Sequence, residues 1–166
     1  DGSISMSHGK RLDINSGGVL APGGMDGYGD PLGTFTYDAS FEDNPGGNLL
    51  MKDGSRLRIR IGDAVGENSQ LVLGSVGAPS LELQSDVALE LIGDSATLSG
   101  GEYVIASFHS PAIGEFSSVT FNGSESLVAG VTYGDESIAV TLVPEPASLA
   151  LLGLGGLAMM PRRRRG

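Results

Sequence analysis

Apolar and polar residues alternate along much of this chain. Leu57-Arg-Ile59-Arg-Ile61 sets one apolar face against one arginine face, the period of a half-buried β-strand. The pattern returns at Leu71-Val-Leu73, Leu81-Glu-Leu83 and Val87-Ala-Leu89-Glu-Leu91-Ile92, with Gly62, Gly66, Gly74, Gly77 and Pro79 between the runs. Further strands are predicted at Gly100 to Phe108, Phe116 to Phe121, Leu127 to Tyr133 and Ile138 to Leu142, with Gly134-Asp135-Glu136 as a hairpin turn between the last two. Shorter alternating pieces, Ile4-Ser-Met6, Leu12-Asp-Ile14 and Val19-Leu20, open the chain. From Met25 to Asn48 the sequence is rich in Gly, Asp and Pro, with Phe35, Tyr37 and Phe41 among its few large side chains, and reads as a long excursion from the sheet. Strand starts about ten residues apart predict an all-β body, either a short β-solenoid or a β-sandwich of Gly-rich strands. No exact repeat can be registered along it.

The pattern changes at Val143. Pro144-Glu145-Pro146 is followed by an uncharged run, Ala147 to Met160, and then by Pro161, Arg162, Arg163, Arg164, Arg165 and Gly166. The prolines lack backbone donors and hold Glu145 extended. The 14 residues 147–160 are apolar on every side. As a helix they reach about 21 Å, against about 30 Å of bilayer hydrocarbon. The arginines are expected to stay on the cytoplasmic side, each contributing about 1 kcal/mol at an anionic surface. The predicted division is therefore a β module at 1–142 and a tail at 143–166 that carries a single apolar, membrane-inserting helix.

In this order and at this end of the chain, the Pro-Glu-Pro motif, apolar run and arginine cluster resemble the PEP-CTERM sorting signal of bacterial exported proteins. The resemblance covers about 24 residues, and Pro161 directly before the arginines departs from its pattern. It implies recognition of Pro144, Glu145 and Pro146 by an exosortase, a membrane-embedded processing enzyme. It also implies membrane retention by Arg162 to Arg165 and transient anchoring before passage to the surface. Gly-Glu-Tyr103-Val-Ile, Gly114-Glu-Phe116 and Val131-Thr-Tyr133 resemble the segment that closes the body ahead of such tails. Gly17-Gly-Val-Leu-Ala-Pro-Gly23 resembles a rung-to-rung phrase of autotransporter-like parallel β-helices.

Charge narrows the partners. The chain carries 10 Lys and Arg against 20 Asp and Glu, net −10. Without the four terminal arginines, 6 basic residues face 20 acidic ones, or −14. That argues against nucleic acid, which needs a basic surface. Cysteine is absent, so neither disulfides nor thiolate metal sites contribute. The chain opens on Asp1, and an exported protein is expected to have more sequence upstream, making this module the end of a longer one.

No catalytic constellation can be assembled, so neither catalytic, cofactor nor metal residues are assigned. His8 and His109 are the only histidines, and His109, beside Ser110 and Pro111, reads as a loop residue. Neither His-Glu-x-x-His, P-loop nor Gly-x-Ser-x-Gly occurs. Asp26-Gly-Tyr-Gly-Asp30 can be drawn as a calcium loop but matches no known spacing, so a solvated turn is the better reading. Gly93-Asp94-Ser95 reads as a turn, and Asn122-Gly-Ser124 is only formally a glycosylation sequon. Arg56, Arg58 and Arg60 read as a solvated strand face paired with nearby acids, with an anionic glycan as the functional alternative. The expectation is a non-enzymatic, exported surface or extracellular-matrix protein of the cell envelope, with exopolysaccharide as a candidate partner. The rivals are a carbohydrate-binding or adhesin-like module, or the accessory end of a polysaccharide-active enzyme whose catalytic part lies upstream.

Overall fold

The computed structural model describes residues 2–5, 11–23, 32–38, 48–74 and 80–143. Thirteen strands are found there: β1 (Gly2–Ser5), β2 (Leu12–Ile14), β3 (Val19–Leu20), β4 (Thr34–Asp38), β5 (Leu49–Met51), β6 (Arg56–Arg60), β7 (Gln70–Leu73), β8 (Leu81–Leu83), β9 (Ala88–Ile92), β10 (Gly101–Ser107), β11 (Ser118–Phe121), β12 (Val128–Tyr133) and β13 (Ser137–Leu142). The expected helix at 147–160 lies outside the described residues. Among those described, no helix is long and apolar enough to cross a membrane.

The strands stack as a solenoid, which decides between the two predicted architectures. One sheet has the order β1-β4-β7-β10-β13-β12, the second β2-β5-β8, the third β11-β9-β6-β3. Every third strand returns to the same sheet, and each pairing from β1 to β11 is parallel. Parallel neighbours need a long crossover, and here the other two sheets of the rung supply it. Four rungs result. In the fourth, a lone bridge from Ile113 to Glu82 stands where the second sheet would have a strand.

Register explains the core. Leu49 and Leu81 stack in the second sheet, as do Met51 and Leu83; Leu57 and Leu89, and then Ile59 and Leu91, stack in the third. These side chains point inward and are buried, while Arg56, Arg58 and Glu90 face out on the same strands. Burying each such aliphatic side chain stabilises by about 1.5–3 kcal/mol. The first rung has less to pack against: Leu12 and Ile14 are half-buried, where Leu49, Met51 and Leu81 are fully enclosed.

Two expectations are corrected. Residues 25–48 are not wholly an excursion, because Thr34–Asp38 forms β4 and pairs with both β1 and β7. Thr-Phe-Thr-Tyr is itself a period-two run of β-branched and aromatic residues, and Tyr37 is fully buried. Phe116 belongs to the turn before β11 rather than to the strand.

The last rung is closed by an antiparallel hairpin. β13 pairs with β10 on one side and β12 on the other, burying Ile138, Val140 and Leu142. Phe116 packs against Tyr133 with ring centroids 6.4 Å apart, and its N–H donates to the Tyr133 hydroxyl at 2.8 Å. Solenoid ends need such a cap, since an uncovered rung exposes apolar core and unpaired backbone.

Candidate functional site

The junction between the body and the sequence-predicted sorting signal is built by β13. Thr141 sits between Glu102 of β10 and Gly130 of β12, and Leu142 between Gly101 and Val128. Leu142 is buried, and the N–H of Val143 donates to the Leu127 carbonyl at 3.0 Å. The next residue is Pro144. Folded structure therefore runs to the residue before Pro144. Pro144, Glu145, Pro146 and Arg162 to Arg165 themselves lie outside the described residues, as do His8, Asp26 and Asp30.

On the third sheet, the arginine stripe has the structural role expected of it. Arg58 Nη2 lies 2.7 Å and Arg56 Nη1 3.1 Å from the Glu90 carboxylate, one rung further on. Arg58 and Glu90 are register partners, so outward charges of opposite sign face each other across the ladder. Partial burial pushes the Glu90 carboxyl up, but hydrogen bonds from Arg58 and then Arg56 outweigh it, leaving the group below its ordinary range. The unfolded chain then takes up the proton first on acidification. The stabilisation is present above the unfolded value of about 4.3 and is lost as pH falls through the folded one. Glu90→Gln should therefore cost about 1 kcal/mol or less at pH 7 in this half-solvated setting. Denaturant titrations at pH 7 and pH 3 should show the gap between the two proteins shrinking at the lower pH; a gap that widens on acidification contradicts the assignment.

Other acids hold turns together. Between the second and third sheets, Asp53 Oδ1 accepts from Ser85 Oγ at 3.2 Å and from the Asp86 N–H at 2.9 Å, and Ser117 Oγ donates to Asp86 at 3.4 Å. One rung below, Lys52 Nζ reaches Asp13 at 3.0 Å and Asn15 at 2.9 Å. At the opposite corner Thr97 Oγ1 donates to Asp63 at 2.5 Å. Gly93-Asp94-Ser95 is a turn as read, with Asp94 accepting from the Ala96 N–H. Asn122 is taken up by a two-way bond with the Gly93 backbone, at 3.2 and 2.8 Å. Among the described residues, no three His, Asp or Glu side chains are grouped to hold a metal ion.

A shallow pocket of about 440 Å³ lies on the outer face of the first sheet. Thr36, Val72 and Ser107, from three successive rungs, form its floor, and His109 and Glu136 flank it. The Phe108 N–H donates to the Glu136 carbonyl at 2.9 Å, which brings the hairpin turn beside the loop after β10. His109 is exposed, as a loop residue should be. Among the described residues, no hydrogen bond joins the side chains of Ser107, His109 and Glu136. Nothing in the sequence pointed to Glu136, because only the return of β13 onto β10 places it near His109.

The end of the chain matches a known family model. No curated protein matches the chain. The family match does not extend to the autotransporter-like phrase at 17–23. Residues 142–165 match the model of the PEP-CTERM protein-sorting motif, the first matched residue being the last of β13. Such signals are recognised by an exosortase, a membrane processing enzyme, and they imply export and processing at the cell envelope. What this all-β body carries at its C-terminus is a PEP-CTERM protein-sorting motif.

Proposed function

We propose that this chain is a non-enzymatic structural module of the bacterial surface or extracellular matrix. Its tail acts as a transient membrane anchor until an exosortase cuts near Glu145. The observation that carries the processing half is the motif match at 142–165, abutting the last strand of a capped solenoid. In the tail, five leucines at about −0.6 kcal/mol each contribute roughly −3 kcal/mol to insertion, offset in part by three glycines. Insertion is marginal, so Arg162 to Arg165 decide retention and orientation.

For the body, contact with a neutral exopolysaccharide is the finer reading. The pocket offers two hydroxyls, an imidazole and a carboxylate around the aliphatic Val72, groups that suit sugar hydroxyls and a sugar C–H face. The carboxylate and the −14 body disfavour anionic glycans.

One experiment addresses both halves. The full chain is expressed in hosts with and without exosortase, and mature masses and the distribution between membrane and extracellular polysaccharide are compared. Loss of Ala147 to Gly166 only where the enzyme is present is expected. Replacing Pro144-Glu145-Pro146 by alanines should leave uncut protein in the membrane, and replacing the four arginines by alanine should let it leave the membrane uncut. Retention of the tail in both hosts defeats the processing reading. A Ser107→Phe body that still partitions with the polysaccharide defeats the pocket reading.

A further inference from the structure

We infer that β13 gates the processing of this protein: the folded body withholds the residues on the N-terminal side of the cleavage site, and cutting waits for the end of that strand to open. The inference rests on the processing reading above and concerns its regulation. An enzyme that cuts a peptide chain binds it extended, using backbone hydrogen bonds and several side chains on each side of the cut. For a cut near Glu145, the residues on the body side are Thr141, Leu142 and Val143.

All three are occupied. Thr141 and Leu142 are paired on both edges, to Glu102 and Gly101 in β10 and to Gly130 and Val128 in β12. The Leu142 side chain is 1% exposed, and Val143 is tied to Leu127. A central strand with no free edge cannot also pair with an enzyme. Val143 is followed at once by Pro144, which has no N–H to donate to another strand. The end of β13 must therefore peel from between β10 and β12, or the enzyme must reach the chain before the cap forms. Strand ends open locally more easily than whole domains do, so the gate delays cutting without forbidding it.

The test is a pulse-chase of the full chain in a host with exosortase, with the enzyme-deleted host alongside. Inserting six Gly and Ser residues between Val143 and Pro144 frees the body side of the site and should speed cutting about tenfold. Conversely, Glu102→Cys with Thr141→Cys places two cysteines on register partners in a chain that otherwise has none. Once oxidised, that pair should slow cutting by a similar factor, and reductant or the added linker should restore it. Resistance of the body to trypsin confirms that each variant is folded. If the linker leaves the rate unchanged, or abolishes cutting while the body stays folded, the gate is wrong although the processing reading stands. If tail loss occurs equally without the enzyme, the processing reading itself has failed.

Discussion

Gly114→Ala should be among the most damaging single-methyl changes in this protein, costing about 3 kcal/mol or more. Gly114 has φ +85°, and an added Cβ would collide with the Leu83 carbonyl oxygen. That oxygen is backbone and cannot rotate away. The approach is close because Ile113 bonds to β8 both ways: Leu83 N–H donates to Ile113 O at 2.8 Å, and Ile113 N–H donates to Leu81 O at 2.8 Å. To fit a methyl group, the chain must give up bonds that join the fourth rung to the third. Two controls separate the causes. Gly123 also has positive φ (+79°) but nothing within 4 Å, so Gly123→Ala should cost only the backbone strain of about 1–2 kcal/mol. Gly130 has no positive φ and open space, and alanine there should be nearly neutral. Urea titrations of the three variants should rank them in that order; equal losses at 114 and 123 would show that the contact with Leu83 is not responsible.

Phe121→Ala is expected to lower stability by about 3–5 kcal/mol, the range for removing an enclosed phenylalanine. Phe121 is fully buried, pairs with Leu91 of β9, and reaches under Gly93, where an added Cβ would lie 3.2 Å from its Cζ. It lies in the last rung of the third sheet, so few side chains can collapse into the space. For a body of this size the loss corresponds to a fall of about 10–20 °C in the unfolding midpoint. Val119→Ala, at a half-buried position of the same strand, should cost about 1 kcal/mol. Thermal melts followed by circular dichroism would decide; a shift under 5 °C for Phe121→Ala would mean the fourth rung is not part of the cooperative core.

Both effects depend on stacking between rungs, which the chain does not display as a repeat. The stacked residues Val19, Arg56, Ala88 and Ser118 are separated by unequal lengths of sequence, mainly because the corners between the first and second sheets differ: ten residues separate Asp38 from Leu49 and seven separate Leu73 from Leu81. Residues added between strands, outside the ladders, cost little. A constant period is therefore not required for the strands to stay in register, and without one a solenoid and a sandwich look alike in sequence. β4 was hidden for a related reason: its Thr-Phe-Thr-Tyr run is short and set among glycines, aspartates and prolines, and only pairing with β1 and β7 makes it a strand.

What the amino-acid sequence determined by itself is local or compositional. Period-two alternation marked β6, β7, β8, β9, β12 and β13, since a strand with one buried face must alternate. The order of Pro-Glu-Pro, apolar run and arginines identified the sorting motif without any folded context, because the motif is carried by residues adjacent in the chain. The tertiary structure decided what depends on residues far apart in the chain. It placed Glu90 opposite Arg58, drew Glu136 beside His109, and locked Thr141 and Leu142 between two strands. Each of these follows from register, and register in a stacked parallel sheet is set by which side chains fill the common core rather than by any one strand.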